Sequence, residues 1–259
     1  MMKKLIAAVI LPFTLSAQAT VVEIQTNLGT IEVNLFDNAT PETVENFLAY
    51  VNNGSYNGSI MHRLEPNFVL QGGGYVYNGS DTLTGIETAP PVVNEPVYSN
   101  VRGTIAMAKL SGNPDSATVQ WFINLENNSA NLDVQNGGFT VFGQVTAGMD
   151  IVDTIAAFDI FNFGGSLGQL PLRDYTEEDF NGDPDNNIDP VTPDSTNFII
   201  VENLVITDAT VDTASGLNPT PNTLIDNVSE EPFSESTKTG AIPLSALLLS
   251  ILAFWRRRV

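Results

Sequence analysis

The strongest constraint on the fold is how the chain is punctuated. Short β-type runs at residues 21–25, 30–35, 68–71, 103–108, 121–124, 141–145 and 198–208 are separated by turns rich in Gly and Asn. In the second run Ile31, Val33 and Leu35 alternate with Glu32 and Asn34, the period of a half-buried strand. The first two runs enclose Asn27-Leu28-Gly29 and predict a hairpin. Two stretches carry helical spacing instead. The first begins with Thr40 as N-cap, Pro41 at the first helical position and Glu42 in the first turn. Val44, Phe47, Leu48 and Val51 form its apolar face, and Asn52-Asn53-Gly54 ends it. The second lies near residues 148–157, with Ile151, Val152 and Ile155 on one face. Many short strands with two isolated helices predict a closed barrel with helical lids. No internal repeat is visible.

Composition narrows the chemistry. The 259 residues include no cysteine and one histidine, His62. A disulfide scaffold, a thiolate zinc site, an iron–sulfur cluster and a cysteine nucleophile are excluded together, and a His-rich metal site cannot be built. Thirty acids face ten cations, and half of those cations sit at the ends, as Lys3, Lys4, Arg256, Arg257 and Arg258. The body between carries Arg63, Arg102, Lys109, Arg173 and Lys238 against all thirty carboxylates, about −25. Phosphate backbones would repel it, so no nucleic-acid partner is expected.

The ends do not read as fold. Residues 1–19 have the order of a secretory signal peptide: Lys3-Lys4, an apolar run from Leu5 to Leu15, then Ala17-Gln18-Ala19 as a cleavage site. At the other end residues 241–255 carry no charge and are followed by three arginines. This segment is short for a span, which needs about 20 apolar residues, but arginine snorkelling and Trp255 extend its reach. With Gly240 it resembles the C-terminal sorting signals of some bacterial envelope proteins. The expected organisation is a signal at 1–19 and a domain at 20–209 with an acidic insertion at about 161–197. A polar tether follows at 210–239, then a hydrophobic segment at 240–259 that anchors the chain to the inner membrane or sorts it. The expected location is exported, periplasmic or at the cell envelope.

The run from Met61 to Gly74, MHRLEPNFVLQGGG, carries the only histidine, a rare cation and a triple glycine. It resembles the signature of the cyclophilins, the peptidyl-prolyl cis–trans isomerases. Further matches follow in order: RGTIAMA from Arg102, DSAT from Asp115, QWFIN from Gln120, Leu132-Asp133 and FTVFGQV from Phe139. Several separate motifs in register form a specific signal. The resemblance implies a mainly β fold, a closed eight-stranded antiparallel barrel capped by two α-helices, here with a short C-terminal hydrophobic helix added. It implies an active site on the barrel's outer surface and no cofactor. Arg63 matches the family's catalytic arginine, with Phe68 and Gln71 beside it. Phe68, Val69, Phe122 and Leu132 match the proline-ring pocket, and Gln71, Ala108 and Gln120 match contacts to the substrate backbone. His62 and Phe139 match positions lining the same groove. Asn131 stands where cyclosporin-sensitive members carry a tryptophan, so weak cyclosporin binding is expected. Trp121 and Met61 depart from the usual residues, changes that bear on substrate preference, with Asn131 and Trp121 read as altering the rim of the groove.

The residue types suit the reaction. An X–Pro bond rotates over a barrier of roughly 18–20 kcal/mol because its C–N bond is partly double. Twisting ends the conjugation and makes the prolyl nitrogen a better acceptor. A guanidinium that donates there favours the twisted state, and its fixed fork suits the task better than lysine. An apolar pocket holds the ring while Gln71 and Gln120 anchor the backbone. No proton transfer is needed, so His62 reads as a hydrogen-bonded structural neighbour. Gly72-Gly73-Gly74 reads as turn chemistry, since the Lys-Ser/Thr of a phosphate loop does not follow.

In the insertion, Asp179, Asn181, Asp183, Asp185, Asn187 and Asp189 alternate like calcium ligands. Pro184 replaces the sharp-turn glycine, which favours a solvated acidic loop. The function read from the sequence is a prolyl isomerase acting on proline-containing unfolded or extended polypeptides of the envelope. Its rival is a tethered module that binds proline peptides without turnover; a calcium-dependent adhesin is weaker.

Overall fold

The computed structural model describes residues 20–79, 82–209 and 213–227. All of them fall in one compact unit. The expected signal, the rest of the tether and the hydrophobic C-terminal segment lie outside the described residues. Among the described residues no helix is long and apolar enough to cross a membrane.

In chain order the elements are β1 (Val21–Thr26), β2 (Gly29–Leu35), α1 (Pro41–Asn52), β3 (Ser59–Ile60), β4 (Arg63–Glu65), β5 (Val69–Gly72), β6 (Tyr75–Tyr77) and β7 (Leu83–Gly85). Then come β8 (Thr104–Met107), β9 (Trp121–Asn124), α2 (Ser129–Leu132), β10 (Val141–Ala147), α3 (Met149–Ala156), β11 (Asp159–Phe161), β12 (Leu170–Leu172), α4 (Glu177–Asn181) and β13 (Ile200–Asp208). Eleven strands form one antiparallel sheet in the order β4-β5-β9-β8-β10-β2-β1-β13-β3-β6-β7, and β11 pairs with β12 apart from it. β3 lies near one end of this order and β4 at the other, yet only Met61 and His62 separate them in the chain. The Met61 N–H donates to Ile199 O and the His62 N–H to Gln71 O, both at 3.0 Å, so one bent run touches both borders of a strongly curled sheet. The count exceeds the expected eight because this run splits where it bends and the β6–β7 hairpin extends one edge.

The β1–β2 hairpin forms as its sequence predicts, pairing Thr26 with Gly29. Ile24, Ile31, Val33 and Leu35 face inward and are fully buried. Helices α1 and α3 pack Val44, Phe47, Val152 and Ile155 on the same core, with the Phe47 ring 5.0 Å from that of Phe142. Gly148, at φ +84, opens α3 where a Cβ would lie 2.3 Å from Thr30 O; glycine lets the helix rest on the hairpin. Thr40 is not the side-chain cap expected. Its hydroxyl donates to Phe36 O at 3.2 Å, and the free amides of α1 are met from outside the helix. The Glu95 carboxylate accepts from Glu42 N at 3.3 Å, Thr43 N at 3.0 Å and Thr43 Oγ1 at 2.7 Å.

Two further expectations change. The insertion is more than a solvated loop: Phe161, Leu170, Leu172, Tyr175 and Phe198 pack with Ile60 in their own apolar cluster. Thr176 and Asp179 close a reciprocal capping box on α4, and Asp183 accepts from the amides of Asp185 and Asn186. These carboxylates serve local backbone, and among the described residues no three acidic or histidine groups converge on a cation site. The described part of the tether is not free chain. Ser99 N donates to Thr220 O at 2.8 Å, Asn222 N to Val97 O at 2.9 Å and Asn222 Nδ2 to Asp133 O at 2.9 Å.

Candidate functional site

A local turn begins the site. Pro66 and Asn67, the latter at φ 59, link β4 to β5, and Phe68 N donates back to Glu65 O at 3.0 Å. This turn sets Arg63 opposite Gln71. The next registers set Gln71 opposite Phe122 and Phe122 opposite Ala106. Alternation then sorts the side chains. Leu64, Leu70, Ile105, Met107 and Ile123 point inward and are fully buried. Arg63, Val69, Gln71, Ala106 and Phe122 share the other face, where Val69, Ala106, Phe122, Leu132, Val141 and Phe36 form a second apolar cluster.

On that cluster lies a cleft of about 290 Å³. Eight of the ten residues expected from the sequence line it: Arg63, Phe68, Val69, Gln71, Ala108, Phe122, Leu132 and Phe139. Its floor is apolar, with the Phe122 and Phe139 rings edge-on at 5.9 Å. Gln120 lines an adjoining cleft of about 300 Å³ that shares Gln71, Ala108 and Lys109 with the first. Gln71 Nε2 donates to Gln120 Oε1 at 2.7 Å and couples the two.

His62 is a correction. It is 2% exposed and lies beneath the groove instead of lining it, its ring edge-on to Tyr75 at 5.1 Å. Burial lowers its pKa from 6.5 to about 4; bonds to the Ile60 backbone and Gln120 oppose this, and the Arg63 charge adds to it. Trp121 is a second correction. It is fully buried within the curled sheet and cannot alter the rim, whereas the exposed Asn131 does line the cleft. The triple glycine accommodates both buried rings. A Cβ on Gly73 would lie 2.7 Å from Trp121 Nε1, and one on Gly74 2.9 Å from His62 Cε1.

Arg63 is held from three sides. Its Nε donates to Gln169 Oε1 at 3.0 Å and Nη1 to Gln71 Oε1 at 3.5 Å, while Nη2 pairs with Glu65. A guanidinium carries five N–H groups, so one on each Nη remains for a ligand in the cleft. Sequence reasoning missed Gln169 and Glu65. It also missed the polar frame behind the pocket. Asn128 Nδ2 donates to Phe68 O and Asn124 Oδ1, both at 2.8 Å, and the buried Asp133 carboxylate accepts from Asn100 N at 2.7 Å. Lys109, met in the sequence only as one of the body's few cations, reaches Asn136 O at 2.9 Å and sits 4.8 Å over the Phe139 ring. Desolvation lowers its pKa to about 8, against the attraction of Asp115.

Comparison with known proteins yields matches in both sequence and fold. The model of the family described as cyclophilin type peptidyl-prolyl cis-trans isomerase/CLD matches residues 21–169. The chain is 46% identical over 169 residues to a peptidyl-prolyl cis-trans isomerase of Acinetobacter baylyi, covering 63% of this chain and 87% of that one. It is 42% identical over 176 residues to peptidyl-prolyl cis-trans isomerase A of Dickeya dadantii, covering 63% and 90%. It is 41% identical over 140 residues to peptidyl-prolyl cis-trans isomerase B of Escherichia coli, covering 52% and 82%. Among solved structures, a cyclophilin type isomerase of Cryptosporidium parvum superposes with a TM-score of 0.52 at 21% identity, covering 73% of this chain and 98% of that one. Its structure in the presence of the dipeptide Ala-Pro gives 0.51 at 22% identity, covering 73% and 99%. The fold is thus cyclophilin-like and mainly β.

Proposed function

Because this chain belongs to the cyclophilin-type family and is a peptidyl-prolyl cis–trans isomerase, we propose that it turns X–Pro bonds of envelope or secreted polypeptides by an Arg63-assisted twist. The observation that carries this reading is the Arg63 fork, fixed above an apolar pocket with donors to spare. Val69, Phe122 and Leu132, with Phe68 and Phe139 at the edge, hold the proline ring while the preceding carbonyl swings. As conjugation is lost, a free Nη–H of Arg63 donates to the prolyl nitrogen, an acceptor present only in the twisted form. Gln71 and Gln120 take backbone groups of the peptide, and Ala108 leaves room for its chain. No step requires a cofactor.

The finer reading of the fold is a closed barrel of eight strands, counting β3 and β4 as one bent strand and leaving the β6–β7 hairpin outside. The signal-like residues 1–19 and the apolar, Arg-ended residues 240–259 support export and attachment to the inner membrane. Asn131 supports weak cyclosporin binding. Prolyl exchange in a short Ala-Pro peptide, followed by NMR, tests the mechanism. Arg63→Ala should lower kcat/KM ten-fold or more, about 1.4 kcal/mol of transition-state stabilisation, and an unchanged rate would refute the Arg63 role. Cell fractionation tests the location: recovery of the chain in the cytosol would overturn export.

A further inference from the structure

A second cleft lies outside that site. Its volume of about 470 Å³ exceeds that of the first and falls in the usual range of ligand sites, roughly 300–1,000 Å³. Tyr75 and Leu83 of the β6–β7 hairpin form one wall; Phe163, Tyr175, Phe180 and Val191 of the insertion form the other. The family match ends at residue 169, before the last three of these. Phe163 and Val191, both lining it, are 39% and 48% exposed, two of the seven exposed large apolar side chains among the described residues. Such a concentration marks a binding surface more often than a solvated loop does.

Two observations identify the occupant. The first is continuity with the isomerase site. Arg63 donates to Gln169, whose chain neighbour Leu170 lines the second cleft, and Tyr75 packs on His62 beside Arg63. The two clefts are therefore connected through the Arg63–Gln169 bond and the step from Gln169 to Leu170. The second is charge. Residues 161–197 carry eight carboxylates against Arg173 alone, and the exposed Asp174, Asp189 and Asp194 each adjoin a lining residue in the chain. An apolar floor with an acidic rim suits a large apolar side chain flanked by cations.

We propose that this cleft is a second subsite for the polypeptide undergoing isomerisation. It takes an aromatic or large aliphatic side chain, with Lys or Arg beside it, a few residues from the proline. The inference rests on the isomerase reading above and adds a substrate preference to it. Occupying both clefts with one chain makes the second contact intramolecular, which tightens binding without new chemistry at the proline.

The test uses the full chain, its Phe163→Ala/Val191→Ser variant and two sets of fluorescent peptides. Both sets share an Ala-Pro centre. One carries Lys-Phe-Lys at spacers of about two to six residues on either side, each residue covering roughly 3.3 Å; the other carries Ser-Ser-Ser in its place. With the wild type, at least one Lys-Phe-Lys peptide should show KM and Kd lower by roughly five- to ten-fold at low salt, with kcat unchanged. The variant should abolish that advantage and turn over the Ser-Ser-Ser peptides as the wild type does. Equal Kd for both sets at every spacer, or an advantage that survives in the variant, would overturn the subsite. Polarisation titration separates the two readings: Phe163-dependent binding without turnover would sink the isomerase mechanism and leave the subsite standing.

Discussion

His62 makes acid stability a direct probe of the wall behind the active site. The imidazole is nearly inaccessible, and burial brings its pKa from 6.5 down to about 4. The folded state therefore holds the neutral ring where the unfolded chain would protonate it. The unfolded state binds more protons between these values, so stability is fully present above pH 6.5 and is lost as pH falls toward 4. At 1.36 kcal/mol for each pH unit the complete effect is roughly 3 kcal/mol, of which about 2 kcal/mol falls between pH 7 and pH 5. That interval isolates the residue. His62 is the single histidine, and carboxylates titrate mostly below the interval. Urea unfolding followed by circular dichroism at pH 7, 6 and 5 gives the measurement, with His62→Gln as reference. The wild-type midpoint should fall by roughly 1 M over the interval, for a slope of about 2 kcal/mol per molar, while the variant should stay nearly level. A wild-type-minus-variant difference independent of pH would refute the buried, neutral ring.

Three shorter predictions follow from the same contacts. Gln169→Leu keeps the backbone bond to Leu64 but removes the acceptor for Arg63 Nε. It should lower kcat several-fold with KM nearly unchanged, and Gln169→Glu should restore the rate; a rise in KM alone would remove Gln169 from its positioning role. Glu95→Ala strips the carboxylate that receives the first amides of α1 and should cost about 1–2 kcal/mol in urea unfolding, with no effect on KM. Lys109, at about pKa 8 on the shared edge of the two active-site clefts, should favour a Glu-containing peptide over its Gln counterpart at pH 7. That ratio of kcat/KM should shrink by pH 9, and a constant ratio would mean the lysine does not meet the substrate.

The legible part of this protein is the part set by local rules. The β1–β2 hairpin and the apolar faces of α1 and α3 follow from spacing alone. Arg63, Gln71 and Phe122 come together in the sequence only through the resemblance to the cyclophilin signature, and the turn at Glu65-Pro66-Asn67-Phe68 and the sheet register supply the physical reason. What escaped reading depends on groups that are remote in the chain. Gln169 stands 106 residues from the arginine it holds, and Glu95 caps a helix some 52 residues before it. Neither lies in a pattern, because a single hydrogen bond between distant segments leaves no periodicity. The insertion misled for a different reason: its carboxylates dominate the composition, while Phe161, Leu170, Tyr175 and Phe198 are spaced too irregularly to suggest a cluster.

The departures in the signature also make physical sense once the interior is known. A tryptophan at position 121 and a methionine at 61 change the volume within the curled sheet, and both lie against Gly72: a Cβ there would be 2.9 Å from Met61 Sδ and 3.1 Å from Trp121 Cη2. The glycines therefore preserve the space that lets β5 hold its register beneath Gln71, so an altered core leaves the outer face as the motif requires. The site's individuality must then come from its borders. On one side Asn131 and Lys109 edge the proline pocket. On the other, Gln169 joins Arg63 to an insertion with its own apolar cluster, so Arg63 is oriented by the same segment that walls the second cleft.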